Sequence, residues 1–236
     1  MHQAQVKIKS RGRIIAVESF ADPYTLENSY LARTGPGRAL VIDPNPSPLL
    51  LRCLAEIGAG QVTVALTHAH ADHICGIAPL MERCSIRIIC SGSCAPRLMA
   101  PSKTGLEFLL VMLRMQDMRD GGHREDGFMR EYRPCCARAM ITFDNGLSLN
   151  EGSHALRFIP APGHSPGSCV IVLDGACAFT GDSLFRDCAA VTRFPRGSTS
   201  SYRAIAVPAL KSLPPCMQAF PGHGAPFLMR EGVFSS

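Results

Sequence analysis

Nothing in the 236-residue chain approaches the roughly 20 consecutive apolar residues that a membrane-spanning helix needs. The first twenty residues, MHQAQVKIKSRGRIIAVESF, hold no apolar stretch of the kind that opens a secretory signal. These two absences lead to the expectation of a cytoplasmic protein without membrane contact. The eleven cysteines include no C-x-x-C pair and are scattered along the chain. Disulfide scaffolds belong mainly to short secreted chains, so these thiols are expected to be reduced. Cys90 and Cys94, and the adjacent Cys135 and Cys136, read as small hydrophobes. Charge of one sign is also scarce, the net charge being +5. Part of it sits in Lys7, Lys9, Arg11 and Arg13, a run expected to face water. Without a basic stripe or a nucleic-acid-binding module, no nucleic acid partner is expected. No repeat or low-complexity linker interrupts the chain, which is expected to form one domain over residues 1–236.

What is present is an alternation of short β-rich runs and helical stretches, which predicts an α/β fold. RIIAVESF (13–20), NSYLAR (28–33), ALVID (39–43), VTVALT (62–67) and IRIIC (86–90) read as strands between Gly/Pro punctuation. Residues 46–60 and 74–84 read as helices between them. The second half gives strands at 140–143, 147–149, 154–161, 168–175 and 176–182, with Asp174-Gly175 as a hairpin turn. A helix is predicted over 202–213, kinked or shortened by Pro208, and a last strand runs into FPGHG. Residues 97–133 break the alternation. Leu106, Leu109, Leu110 and Leu113 recur at helical spacing, with Met112, Met115 and Met118 extending the face until Gly121-Gly122 ends it. This segment reads as a helical insertion. Its methionines are expected to pack in the core, or alternatively to wall an acyl groove or form a dimer contact.

The chemistry-bearing stretch is THAHADHICG (67–76), in which four ligand-type residues fill six positions after an apolar strand. Residues i and i+2 at a strand end point to one side, so His68 and His70 could bind one ion together. Asp72 and His73 follow as the chain turns into a helix and could face a second ion. Imidazole nitrogens and carboxylate oxygens suit zinc, iron or manganese. Three later segments each place one metal-type residue on a glycine-flanked loop: His164 in APGHSPGS, Asp182 in FTGDSLF and His223 in FPGHG. Glycine there permits close backbone approach, and loops above a rigid scaffold commonly carry catalytic groups. His2, His123 and His154 have no such setting. Ser165 and Ser183 lack a G-x-S-x-G elbow and read as turn residues that orient their neighbours.

With T-H-A-H-A-D-H, P-G-H-S-P-G-S, T-G-D-S-L-F and P-G-H-G in this order, the chain resembles the metallo-β-lactamase superfamily. N-S-Y-L-A-R and A-L-V-I-D-P are similar to that family's first strands, and the resemblance covers about residues 13–226 apart from the insertion. It implies an αββα sandwich with a dinuclear site on one edge. By the same resemblance, His68, His70 and His164 hold one metal, Asp72, His73 and His223 the other, and Asp182 bridges them. Two dications roughly 3.5–4 Å apart lower the pKa of a shared water and clamp the attacking and leaving oxygens. The nucleophile implied is metal-bound hydroxide, with Asp72 and Asp182 as the catalytic carboxylates and Asp72 orienting that hydroxide and taking or returning its proton. Two divalent cations are expected, zinc first, with iron or manganese as alternatives.

The bridging Asp182 separates the chain from true β-lactamases and points to the glyoxalase II-like branch. GDSLFRDCAAVTRFPRG most resembles that branch, with Thr192 and Arg193 partly matching it and an acidic residue missing. Tyr24 and Arg193 would reach the substrate by the same analogy. The chain runs 12 residues past Gly224, where glyoxalase II carries a further helical segment for glutathione. Acyl thioesters other than S-lactoylglutathione are therefore the expected small-molecule substrates. Lactone opening and an iron-dependent persulfide dioxygenase activity are the alternatives, and a homodimer is the one protein partner considered.

Overall fold

The computed structural model describes residues 3–10, 13–134 and 136–234. His2, Arg11, Cys135 and the side chain of Arg13, named above, lie outside the described residues. Two sheets stack face to face. The first has seven strands in chain order: β1 (Gln3–Ser10), β2 (Arg13–Ala21), β3 (Asn28–Gly35), β4 (Arg38–Ile42), β5 (Gln61–Ala65), β6 (Ser85–Ser91) and β7 (Ile141–Phe143). The second has six: β8 (Leu147–Glu151), β9 (His154–Pro160), β10 (Cys169–Leu173), β11 (Cys177–Gly181), β12 (Gln218–Pro221) and β13 (Phe227–Leu228). Hairpin-linked strands pair antiparallel, while β4, β5, β6 and β7 run parallel because chain crosses over between them.

Alternation along β4 explains the layering. Leu40 and Ile42 point between the sheets, where they join Tyr30, Phe158, Ile171, Phe179 and Phe220. Ala39 and Val41 point outward to Leu50 and Leu54 of α1 (Pro48–Glu56) and to Ile77 and Leu80 of a later helix. The second sheet does the same: Val170, Val172, Ala178 and Ala219 face Tyr202, Ala206 and Leu210. Helix, sheet, sheet and helix are thus the αββα order expected from the sequence.

Some local expectations change. β1 was not anticipated: Val6 and Ile8 pack on the core while Lys7 and Lys9 face water, so these two residues of the basic run share one face of an edge strand. The helix expected over 74–84 starts earlier and splits into α2 (Ala71–Ile74) and α3 (Ile77–Met81). Gly76 separates them, packed so closely that a Cβ would lie 2.3 Å from the Asn45 carbonyl oxygen. Past Tyr202, five residues (Tyr202–Ala206) form a π-helical turn ahead of Val207–Lys211, so Pro208 falls in the first turn of the α-helical part and breaks nothing.

The insertion consists of α4 (Ala95–Leu98), α5 (Leu106–Asp120) and α6 (Arg124–Glu131). Gly121, at φ +74°, ends α5 as expected. Leu113, Phe128 and Tyr132 bury against Ala71 and Cys75, with Leu106, Leu109 and Leu110 packed around them. The expectation that the methionines pack in the core is corrected. The leucines at i, i+3, i+4 and i+7 occupy the buried stripe, which turns Met115 and Met118 to solvent at 51% and 81% exposure. No helix among the described residues is long and apolar enough to cross a membrane.

Candidate metal centre

The seven candidate side chains converge at one edge of the sandwich from five segments. Leu66 and Thr67 extend β5, and His68 and His70 follow before α2. The backbone N–H of Cys169 donates to the Thr67 carbonyl at 2.9 Å, tying this segment to β10 across the edge. Asp72 and His73 lie in the single turn of α2. His164 sits in a tight loop closed by Ala161 N–H donating to Ser168 O at 2.8 Å. Asp182 follows β11 after Gly181, whose φ of +48° and 2.3 Å Cβ approach to Thr67 Oγ1 leave no room for a side chain. His223 follows β12 and is held by Asn28 N–H donating to Gly222 O at 2.7 Å and Asn28 Nδ2 donating to Gly224 O at 2.8 Å.

Two donor groups result. His70 Nδ1 lies 3.1 Å from His68 Nε2 and 2.9 Å from His164 Nε2. Asp72 Oδ2 lies 3.6 Å from His223 Nε2 and 4.0 Å from His73 Nε2. Asp182 stands between them: Oδ2 is 3.5 Å from His164 Nε2 and 3.8 Å from His223 Nε2, and Oδ1 is 3.4 Å from His73 Nε2. His68/His70/His164 and Asp72/His73/His223 each form a set that could hold a metal ion, as do Asp43, His68 and His73.

Hydrogen bonds on the far side of each ring set its tautomer. Asp43, a carboxylate, accepts from Thr67 Oγ1 at 2.5 Å and from His73 Nδ1 at 3.1 Å. The Thr67 hydroxyl proton is thereby committed to Asp43, so Thr67 Oγ1 accepts from His68 Nδ1 at 3.1 Å. His164 Nδ1 donates to the Val191 carbonyl at 2.9 Å. With each Nδ1 so engaged, the Nε2 atoms of His68, His73 and His164 all face the centre, where each can offer a lone pair once it carries no proton. His73 Nε2 and Asp182 Oδ1 are buried without a hydrogen-bond partner. Buried polar atoms left without a partner are costly in a closed site, and these two, facing each other at 3.4 Å, fit a bound cation.

The electrostatics agree. Burial pushes the His68 and His164 imidazoles below their ordinary range and takes His70 to about 3, so all three are neutral donors at pH 7. Burial alone would raise Asp72, but His73 and His223 outweigh it and hold the carboxyl at about 2. Asp182 is likewise held well below the usual carboxylate range, burial being outweighed by His223, His73 and His164. His73 and His223 move the other way, because Asp72 and Asp182 overcome their burial. Carboxylates that hold protons on two imidazoles this firmly will attract a dication in place of those protons.

Sequence reasoning missed Asp43, Thr67 and Glu27. Glu27 is fully buried 3.8 Å from His73 Nδ1 and takes Asn45 Nδ2 at 2.9 Å. Asp43 had a signal, a lone aspartate ending an apolar strand, but its contacts lie 24 and 30 residues away. Among the described residues, the two histidines outside the motifs stay outside the centre: His154 bonds Asp174 at 2.7 Å, and His123 is exposed.

The centre opens into a cavity of about 730 Å³. Its apolar wall is Phe108, Leu109, Met112 and Leu113 of α5, facing Phe194. Phe194 sits edge-on to His164 at 5.1 Å and to Phe108 at 4.7 Å. The insertion therefore walls the cavity, though without Met115 and Met118. Arg193 and Tyr24 do not line it; Arg196 and Thr25 do.

The family model of the metallo-beta-lactamase superfamily matches residues 24–223. A hydroxyacylglutathione hydrolase of Xanthomonas euvesicatoria pv. vesicatoria (strain 85-10) is 35% identical over 71 residues, 30% of this chain and 26% of that protein. The match thus spans about a quarter of that relative's length. The mitochondrial persulfide dioxygenase ETHE1 of Homo sapiens is 26% identical over 225 residues, 90% of this chain and 69% of that protein. Among solved structures, TTHA1623 in a di-iron-bound form aligns with a TM-score of 0.67 at 25% identity, covering 90% of this chain and 95% of that one. Fold, motif order and family match agree: the chain belongs to the metallo-beta-lactamase superfamily.

Proposed function

We propose that the protein is a metal-dependent hydrolase that cleaves acyl thioesters at a centre for two divalent cations. The observation that carries this reading is the pair of donor groups, His68/His70/His164 and Asp72/His73/His223, with Asp182 within 3.8 Å of both. Zinc suits these donors, with iron or manganese as alternatives. Two bound dications would polarise a carbonyl oxygen and lower the pKa of a water.

The chain's own residues do the rest. Asp72, at about 2, is too weak a base to hold a proton at pH 7, so its part is to accept a hydrogen bond and orient the attacking water. Asp182 holds the two donor groups in register. Phe108, Leu109, Met112 and Phe194 take the acyl chain and exclude water from it. Water adds to the carbonyl carbon and the C–S bond breaks; one of the water's protons ends on the departing sulfur and the other passes to solvent, leaving a carboxylate and a thiol. A thiolate, with a parent pKa of about 8.5, departs with little help from an acid. The hydroxyacylglutathione hydrolase relative supports a thioester, since that is the bond its name implies.

The test is metal content of the purified protein, followed by thiol release from a panel of acyl thioesters and lactones. Two cations per chain are expected, with turnover abolished by Asp182→Ala or His70→Ala and reversibly by chelation. Full turnover in metal-free protein would overturn the reading. A second reading, an iron-dependent persulfide dioxygenase, is favoured by the ETHE1 match over 90% of the chain. One iron per chain, oxygen uptake with a persulfide and no thioester turnover would put it first.

A further inference from the structure

The cavity carries a cationic cluster that the hydrolytic centre does not use. Arg97, in α4, lines it and is only 6% exposed. Its Nη1 donates to the Lys103 carbonyl at 3.3 Å, while its Nη2 is buried with no partner. A buried guanidinium with an unused donor is expensive unless something accepts from it. The neighbours make the cost greater. Burial, and then the charge of Arg196, push the Arg97 guanidinium below its ordinary pKa. Lys103 and Arg196 line the same cavity. Neither they nor Arg97 make an ion pair among the described residues.

The other charged groups lining the cavity outside the metal centre are Arg186, Asp187 and Glu107. Arg186 and Asp187 pair with each other at 2.9 and 3.0 Å. Glu107 lies in the first turn of α5, whose N-terminus has no side-chain cap. Three unpaired cations therefore stand against one carboxylate.

Arg196 adds a second mark: its φ of +71° is a strained conformation for a residue with a side chain, of the kind found at ligand clamps. The position of the cluster is informative as well. The 101–105 segment that holds Arg97 packs on His70, a Cβ at Gly105 lying 3.6 Å from His70 Cδ2. The Phe108–Phe194 pair lines the same cavity.

We propose that Arg97 and Arg196, with Lys103 beside them, form an oxyanion subsite of this cavity. The substrate is then a thioester with a carboxylate, phosphate or sulfonate group joined to its reacting carbonyl through an apolar stretch. Arg97 is the specificity residue: Nη1 is spent on the Lys103 carbonyl, which fixes the plane of the guanidinium, and Nη2 has no partner in the protein. The substrate class rests on the thioesterase reading, whereas the anion subsite does not.

Two measurements separate them. The first is calorimetry of the metal-loaded protein with hexanesulfonate, a poor metal ligand, against hexanol. Wild type should bind the sulfonate more tightly, and Arg97→Gln and Arg196→Gln should each weaken it about tenfold or more while leaving hexanol unchanged. Metal content equal to wild type shows that each variant is folded.

The second is kcat/KM on matched thioesters. Butyryl and succinyl groups on neutral N-acetylcysteamine test a charge on the acyl half. Butyryl on 3-mercaptopropionate tests a charge on the thiol half. A preference for one charged ester that Arg97→Gln removes through KM, with the neutral ester unaffected, supports the proposal and says which half carries the anion. Sulfonate binding that depends on Arg97 without any thioester turnover would sink the thioesterase reading and uphold the subsite. Equal losses on charged and neutral ligands, or no loss on either, would overturn the subsite.

Discussion

Replacing Asp43 by asparagine tests whether the hydrogen bonds behind the histidines govern the centre. Asn tolerates the φ of +47° found at this position, and its carbonyl oxygen can still accept from Thr67 N–H, now at 2.7 Å. The amide nitrogen, however, replaces the oxygen that accepts from Thr67 Oγ1 and His73 Nδ1. The threonine hydroxyl can rotate to suit. His73 cannot: its Nδ1–H would face an N–H, so the ring must move its proton to Nε2 and lose the lone pair that points at Asp182 and Asp72. One hydrogen bond to a charged group contributes about 1.5–3 kcal/mol. That corresponds to a factor of roughly 10–100 in a binding constant, the range usual for partners behind metal ligands. Competition of D43N with a chromophoric chelator should show one of two cation affinities weakened 10–100-fold, the one assigned to Asp72, His73 and His223. Two affinities equal to wild type would refute the reasoning.

Gly222→Ala should cripple the centre from a residue that is no ligand. Its Cβ would lie 2.1 Å from Asp182 Oδ1 and 2.7 Å from His73 Cε1, so turnover and cation content should fall, turnover on the order of 10–100-fold. A fully active G222A with wild-type metal content would contradict this geometry. Met112→Ser should raise KM for long acyl thioesters more than for short ones, whereas Met115→Ser, outside the cavity, should change neither; a shared response would place the acyl chain elsewhere. In metal-free protein the melting temperature should fall as pH drops from about 6.5 toward 3. His70 is held neutral at about 3 when folded but takes up a proton near 6.5 when unfolded, so the unfolded state binds more protons in that window. Asp72 adds a further loss between 3.8 and about 2. The raised His73 and His223 contribute fully below 6.5 and lose their contribution only as pH rises through their folded values, so they do not offset the fall. Glu27, whose carboxyl burial raises, opposes this trend, so the comparison is with metal-free H70A: an equal slope in both proteins from pH 6.5 to 4 would show that His70 is not buried as described.

By itself the sequence disclosed the layer order and pointed to the seven side chains that the fold then brings together at one edge. Both are written locally, in two-residue alternation along strands such as β4 and in glycine-flanked turns that can carry only certain residues. The tertiary structure decided what depends on partners far along the chain. Asp43 fixes the tautomer of a histidine 30 residues away, and Val191 does the same for His164 across 27 residues. No local spacing encodes such contacts, because they exist only once two sheets have stacked. The methionines of α5 belong here too: a repeat of three runs off the leucine stripe, and only packing against α2 shows which of the two faces is buried. Arg97 looked like one basic residue among 24 Lys and Arg. Burial against the Lys103 carbonyl, with one nitrogen left over, is what gives it meaning, and burial is a property of the folded surface rather than of the chain.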